Sequence, residues 1–185
     1  MFAAEKELAK KIVEKYDIST SATLVSAITF DNHAKMEWNF GDITDLKSVN
    51  NRIDQLRKLK PGNNILKAVE IARDDAFSVN NGARRGVPKS LIVFIDKKEM
   101  RDKKLQDAAK QLKYKGIKVI VIAIGPEVNK KDVAGIASST KDLIKPHDFF
   151  KSKEEVLSQA VAQSRPGKPS IYLRQMTIHT VVINI

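Results

Sequence analysis

With 185 residues and 42% hydrophobic content, the chain can enclose one ordinary α/β core, and it holds no apolar run near the ~20 residues that span a bilayer. It lacks cysteine, which excludes disulfides, thiolate nucleophiles and cysteine metal sites. A formal charge of +11 favours acidic partners such as sulfated glycans, nucleic acid or anionic surfaces, but the lysines are scattered over predicted helices with no aromatic-basic ladder, so a solvated basic surface is the first reading.

Residues 2–16 read as an amphipathic helix with Leu8, Ile12 and Val13 inward, and not as a signal peptide, so an extracellular location requires a leader that this sequence does not carry. Residues 23–30 and 34–40 read as strands joined at hairpin length by Asp31-Asn32-His33. A helix over 45–59 follows, carrying Leu46, Val49, Ile53 and Leu56 on one stripe. After the break at Lys60-Pro61-Gly62, Asn63 or Asn64 caps a further helix to about Ser78. Residues 80–86 form a loop. Two β-branched runs, 90–95 and 117–124, are too short for helices and read as strands buried on both faces. Between them 102–114 is helical, with Leu105, Ala108, Ala109 and Leu112 inward and Gly116 at the C-cap. A short helix (130–138), a short strand (143–144) and a last helix (153–162) complete an alternating order. That order predicts a doubly wound, mostly parallel sheet with one antiparallel edge strand and helices on both faces. Ligands of such sheets bind beyond the carboxyl ends of the strands, and the strand 90–95 delivers Asp96 to that edge.

The remaining polar residues read as structural. His33, His147 and His179 are scattered without helical pairing, and Asp74 and Asp75 are adjacent on a helix and point apart. Ser138-Ser139-Thr140 lies near no base, and 82–86 lacks phosphate-loop spacing and precedes a strand. No enzyme is expected.

Residues 164–176 are turn-rich and read as a linker, and 177–185, TIHTVVINI, is a β-branched strand suited to a central buried position, with Val181, Val182 and Ile183 all inside. The segments GARRGVPKSLIVFIDKKE, YKGIKVIVIAIGPEVNKKDVAGIAS and DFFKSKEEVLSQAV, in this order over 1–163, resemble the von Willebrand factor type A domain of matrix and collagen-associated proteins. The resemblance implies a non-catalytic adhesion or extracellular-matrix module that docks a partner, collagen-like proteins among them, at a metal-ion-dependent site. A basic, glycosaminoglycan-like polyanion-binding domain is the alternative. Matched to the family's site, Asp96 takes the place of the last Asp ligand and Asn63 that of the Thr, with Asn64 one residue away. Lys97 and Lys98 stand where a small neutral residue is usual. The Asp-x-Ser-x-Ser loop is absent, since Asp17-Ile-Ser-Thr-Ser21 precedes a strand at the opposite end of the sheet. The expectation is therefore an incomplete site, holding no cofactor in this chain and Mg²⁺ only if the missing loop is restored. Partner contacts are expected at Asn63, Asn64, Asp96, Lys97 and Lys98. The family's first strand precedes its first helix, whereas here a strand of that type comes last. Either the chain is permuted and 177–185 returns to its own sheet, or that strand belongs to a neighbouring tandem copy, including by strand exchange.

Overall fold

The computed structural model describes residues 2–57, 62, 64–96 and 102–165, and the backbone of 179–180. Its elements are helix α1 (Phe2–Val13), strands β1 (Leu24–Val25), β2 (Ala27–Phe30) and β3 (Ala34–Trp38), helices α2 (Leu46–Gln55) and α3 (Ile65–Ile71), strand β4 (Lys89–Ile95), helix α4 (Lys103–Tyr114), strand β5 (Ile117–Ala123), helix α5 (Lys130–Val133), strand β6 (Leu143–Ile144), helix α6 (Lys153–Ser164) and strand β7 (His179–Thr180).

β4 and β5 pair in parallel over all seven residues, from Lys89 opposite Ile117 to Ile95 opposite Ala123. Around them the parallel sheet runs β1-β7-β4-β5-β6. β7 lies between β1 and β4, with His179 level with Leu24 and Lys89, and Thr180 level with Val25 and Ser90. Val181, Val182 and Ile183 lie outside the described residues. β2 follows β1 after Ser26 and pairs antiparallel with β3 as a separate two-stranded sheet.

Alternation along the strands explains the two helical layers. Leu91, Val93, Ile95, Val119 and Val121 point to one face, where they meet Ile65, Val69, Leu105, Ala109 and Leu112 of α3 and α4. Ile92, Phe94, Ile120, Ile122 and Ile124 point to the other, against Leu8, Ile12, Val49, Ile53, Val156 and Ala160 of α1, α2 and α6. The caps are those the sequence supplies: Asp45 accepts from the Ser48 amide (2.8 Å) and Asp102 from the Lys104 amide (2.8 Å).

Several boundaries differ from the sequence reading for local reasons. Ser26 interrupts the single strand expected over 23–30, because its hydroxyl donates to the Trp38 carbonyl (2.9 Å) while Trp38 Nε1 donates to the Val25 carbonyl (3.0 Å). The register then slips between Ala27 and Ile28, leaving Glu37 as the extra residue of a bulge, its carboxylate held by Thr29 (2.5 Å) and Lys35 (2.9 Å). The helix expected to reach Ser78 ends its α portion at Ile71 and passes into a π turn over Ala72–Ala76. α5 ends at Val133, four residues into the expected helix, and Ser138 then accepts the Val119 amide (2.8 Å) and donates its own amide to the Val119 carbonyl (2.9 Å).

The amino end of the sheet is closed by a polar latch. Tyr16 and Ser164 share a hydroxyl hydrogen bond, and Ser90 donates to the Ser164 carbonyl (3.3 Å), joining the end of α1, the end of α6 and the start of β4. Burial holds the Tyr16 phenol above its ordinary value of 10.0, against the pull of the Ser164 hydrogen bond. A raised folded value contributes stability below pH 10 that is lost as pH climbs past it. Alkaline unfolding followed by circular dichroism is therefore expected to be shallower in Tyr16→Phe than in the unaltered chain, and identical pH profiles would contradict the latch. Separately, Trp38→Phe strands the buried Val25 carbonyl and is expected to cost about 1–3 kcal/mol in urea unfolding.

Candidate functional site at the carboxyl edge

All strands of the parallel sheet, and β2 with them, run toward one edge, where the connections after β2, β4 and β5 emerge. The strand order doubles back around β7, which makes this edge a topological switch point. β4 ends in half-buried Asp96, and the Ile124 amide donates to the Ile95 carbonyl (2.8 Å) just above the last ladder pair. Lys145, following β6, donates to the Gly125 carbonyl (2.9 Å) and ties the next loop down.

At the end of β2, Asp31 is 3% exposed and organises the loop entering α3. Its carboxylate accepts the Gly62 amide, and its carbonyl accepts the Asn64 amide (2.5 Å). A Cβ at Gly62 would collide with the Asn32 backbone, so only glycine permits this approach. Asn64 is the N-cap of α3: its Oδ1 accepts the Lys67 amide (3.2 Å) and its Nδ2 donates to the Asn32 carbonyl (3.4 Å).

At this edge Asp31, following β2, bonds to Gly62 and Asn64, and Asp96 follows β4, while Asn63, Lys97 and Lys98 lie outside the described residues. Asp31 is the participant that sequence reasoning assigns only to a hairpin linker. The signal that picks out Asp96, an acid directly after a buried strand, applies to Asp31 equally.

The other candidates have structural employment. Asp17 and Ser19 shape the turn before β1 at the amino edge, where the Asp17 carbonyl accepts the Thr23 amide (2.9 Å) and Ser19 Oγ the Ala22 amide (3.1 Å). Arg73 grips Asp74 (2.5 Å), and the guanidinium holds that carboxyl below its usual range. Ser139 donates to Asp142 (2.6 Å), and His33 and His147 are in loops.

A model of the von Willebrand factor type A domain matches residues 1–163. The chain belongs to this family. Among curated relatives, chicken (Gallus gallus) matrilin-1 is 26% identical over 157 residues, covering 85% of this chain and 31% of its own. Human matrilin-3 is 23% identical, covering 80% and 30%, and bovine (Bos taurus) cochlin is 24% identical, covering 80% and 27%. The von Willebrand A domain described here therefore spans less than a third of these relatives' length. Among solved structures, proximal thread matrix protein 1 of the mussel byssus superposes with a TM-score of 0.79 at 19% identity, covering 86% of this chain and 42% of that one. The same protein with a zinc-occupied MIDAS motif superposes at 0.76 and 22% identity, covering 86% and 40%.

Among the described residues no three His, Asp or Glu side chains converge closely enough to hold an ion. Asn64 spends its oxygen on the helix cap, and one Asp31 oxygen is taken by the Gly62 amide. Mg²⁺ surrenders its waters only to several well-placed oxygens. Isothermal titration of this chain with Mg²⁺ and Mn²⁺ is expected to show no micromolar binding; a micromolar site would overturn that expectation.

Proposed function

We propose that this von Willebrand A domain is a non-catalytic protein-interaction module of an extracellular-matrix or adhesion protein, and that its partner docks at the carboxyl edge around Asn63, Asn64, Asp96, Lys97 and Lys98. The observation carrying this reading is a family fold whose switch-point edge has Asp96 just past a strand end and Asp31 bonded to the Gly62 and Asn64 amides ahead of α3. The matrix proteins among the relatives support an extracellular location, and a collagen-like partner is this reading's own expectation. Without a complete metal site, Lys97 and Lys98 receive an acidic partner group as point charges.

In the same reading 1–163 form the domain, 164–176 a linker, and 177–185 the first strand of this sheet or of a neighbouring copy. The parallel seat of His179–Thr180 between β1 and β4 supports a strand in that slot.

The test is surface plasmon resonance against immobilised fibrillar collagen. Lys97→Glu with Lys98→Glu is expected to weaken binding about tenfold or more, since like charges facing across an interface cost several kcal/mol. Lys15→Glu with Lys47→Glu is the matched control. Lys10 and Lys11 do not serve, because they pair with Asp54 (2.7 Å) and Glu154 (2.9 Å). Equal losses in both variants would mean diffuse attraction, and no binding by the unaltered chain would remove collagen as the partner.

A further inference from the structure

Charge is distributed unequally between the two helical layers. In the α1/α2/α6 layer, acids are spent on helix-to-helix ion pairs: Lys10 with Asp54 (2.7 Å), Lys11 with Glu154 (2.9 Å) and Lys153 with Glu7 (3.0 Å). In the other layer the pairs are local, Lys67 with Glu70 (3.3 Å) and Arg73 with Asp74 (2.5 Å). α4 and its C-cap carry Lys103, Lys104, Lys110, Lys113 and Lys115 against the single acid Asp107, and among the described residues none of the five lysines is ion-paired.

These lysines divide into two groups. Lys113 donates to the Gly135 (2.9 Å) and Ala137 (3.1 Å) carbonyls, and Lys115 to the Arg73 carbonyl (2.6 Å), so both serve to fasten α4 to its flanks. Burial, and less so the neighbouring charge of Lys110, holds the Lys113 ammonium below its ordinary value. Lys103, Lys104 and Lys110 are exposed, and Lys110 lies over the ring of Tyr114 (5.8 Å), itself 79% exposed. Seven helical positions separate Lys103 from Lys110, which is two turns and about 10 Å along one face. Exposed Lys130 and Lys131 open α5, which packs in the same layer through Val133.

Lys103 and Lys104 also occupy the first turn of their helix, where the macrodipole disfavours cations. Breaking a local rule at exposed positions is characteristic of a functional surface. Lys103 and Lys110 share one face with exposed Asp107 between them, Lys104 lies about a quarter-turn round the helix, and this patch of lysine point charges with one exposed ring lacks the arginine forks and stacked aromatics that read nucleic acid.

We propose that the outer surface of α4 is a docking patch for a linear sulfated glycan, with the Lys103, Lys104 and Lys110 ammonium groups meeting its sulfates. This surface is independent of the carboxyl-edge reading and stands or falls separately.

The probe is a heparin dodecasaccharide, titrated calorimetrically with the whole chain from about 0.05 to about 0.3 M NaCl. The unaltered chain is expected to bind with steep salt dependence. Lys103→Gln, Lys104→Gln and Lys110→Gln together are expected to weaken binding at least about tenfold and to flatten the log–log salt slope by about three, one for each ammonium group removed. Lys15→Gln, Lys47→Gln and Lys141→Gln, equal in net charge, are expected to change both little, with far-UV circular dichroism verifying that each variant folds. Equal losses in the two triple variants, or no binding by the unaltered chain, overturn the proposal. So does binding of a single-stranded oligonucleotide or of phosphatidylserine vesicles as tightly as heparin, which would reassign the patch to that polyanion.

Discussion

Everything in this domain depends on keeping a parallel strand pair dry on both faces. A parallel ladder has no solvent-facing side in a doubly wound sheet, so β4 and β5 must be apolar at nearly every position and must be covered by helices above and below. β4 buries six of its seven residues and β5 six of seven, which leaves their amides no water to turn to and commits them to each other. The helical layers follow from that demand, since each presents only one apolar stripe and leaves the rest of its surface to charge. The second edge of β4 follows as well: a strand buried this completely needs a second neighbour, and β7 takes that place at the start of the strand.

The same constraint forces chemistry to the sheet's ends. Polar groups tolerated inside are those with a partner, such as Ser90 bonded to the Ser164 carbonyl and Trp38 bonded to the Val25 carbonyl. Acids appear where strands stop, at Asp31 and Asp96. Of these, Asp31 shows how a carboxylate at a strand end can build a site without being its recognition element. By accepting the Gly62 amide it sets the path of the chain into α3, and Asn64 completes the turn by capping that helix.

Much of this is legible in the sequence because the period of apolar residues is a direct consequence of burial. The β4-α4-β5 unit can be read from Leu91 to Ile124, since continuous β-branched runs flanking a 3-4 stripe admit few other folds, and the strand-end position of Asp96 follows from it. The break at Ser26 is not legible, because it arises from a hydroxyl finding a carbonyl twelve residues away. The π turn over Ala72–Ala76 leaves no mark either, as its hydrogen bonds shift by one position without any change in the apolar stripe. Asp31 is visible as a residue but not as an organiser, for its partner Gly62 is thirty-one positions distant and its own neighbours look like an ordinary hairpin turn. The basic character of the chain reads as diffuse from the sequence, and only the three-dimensional pairing of acids separates the neutralised layer from the one on which α4 lies.

That separation has a structural origin. α1, α2 and α6 pack side by side on one face of the sheet, and Lys10, Lys11 and Lys153 reach across from helix to helix to acids on a neighbour. Exposed pairs of this kind contribute only about 0–1 kcal/mol each, so they do not hold the fold together, yet they cancel the layer's field. α4 sits between α3 and the short α5, and its flanks are fastened by lysines bonded to carbonyls, which consumes no negative charge. Tying a helix down through carbonyls therefore preserves the positive potential of its outer face, whereas tying it through carboxylates would have erased it. The segment joining Asp96 to Asp102 carries Lys97, Lys98 and Arg101 against Glu99, a net positive charge of the same sign. An acidic partner attracted to either surface is steered by the field of both.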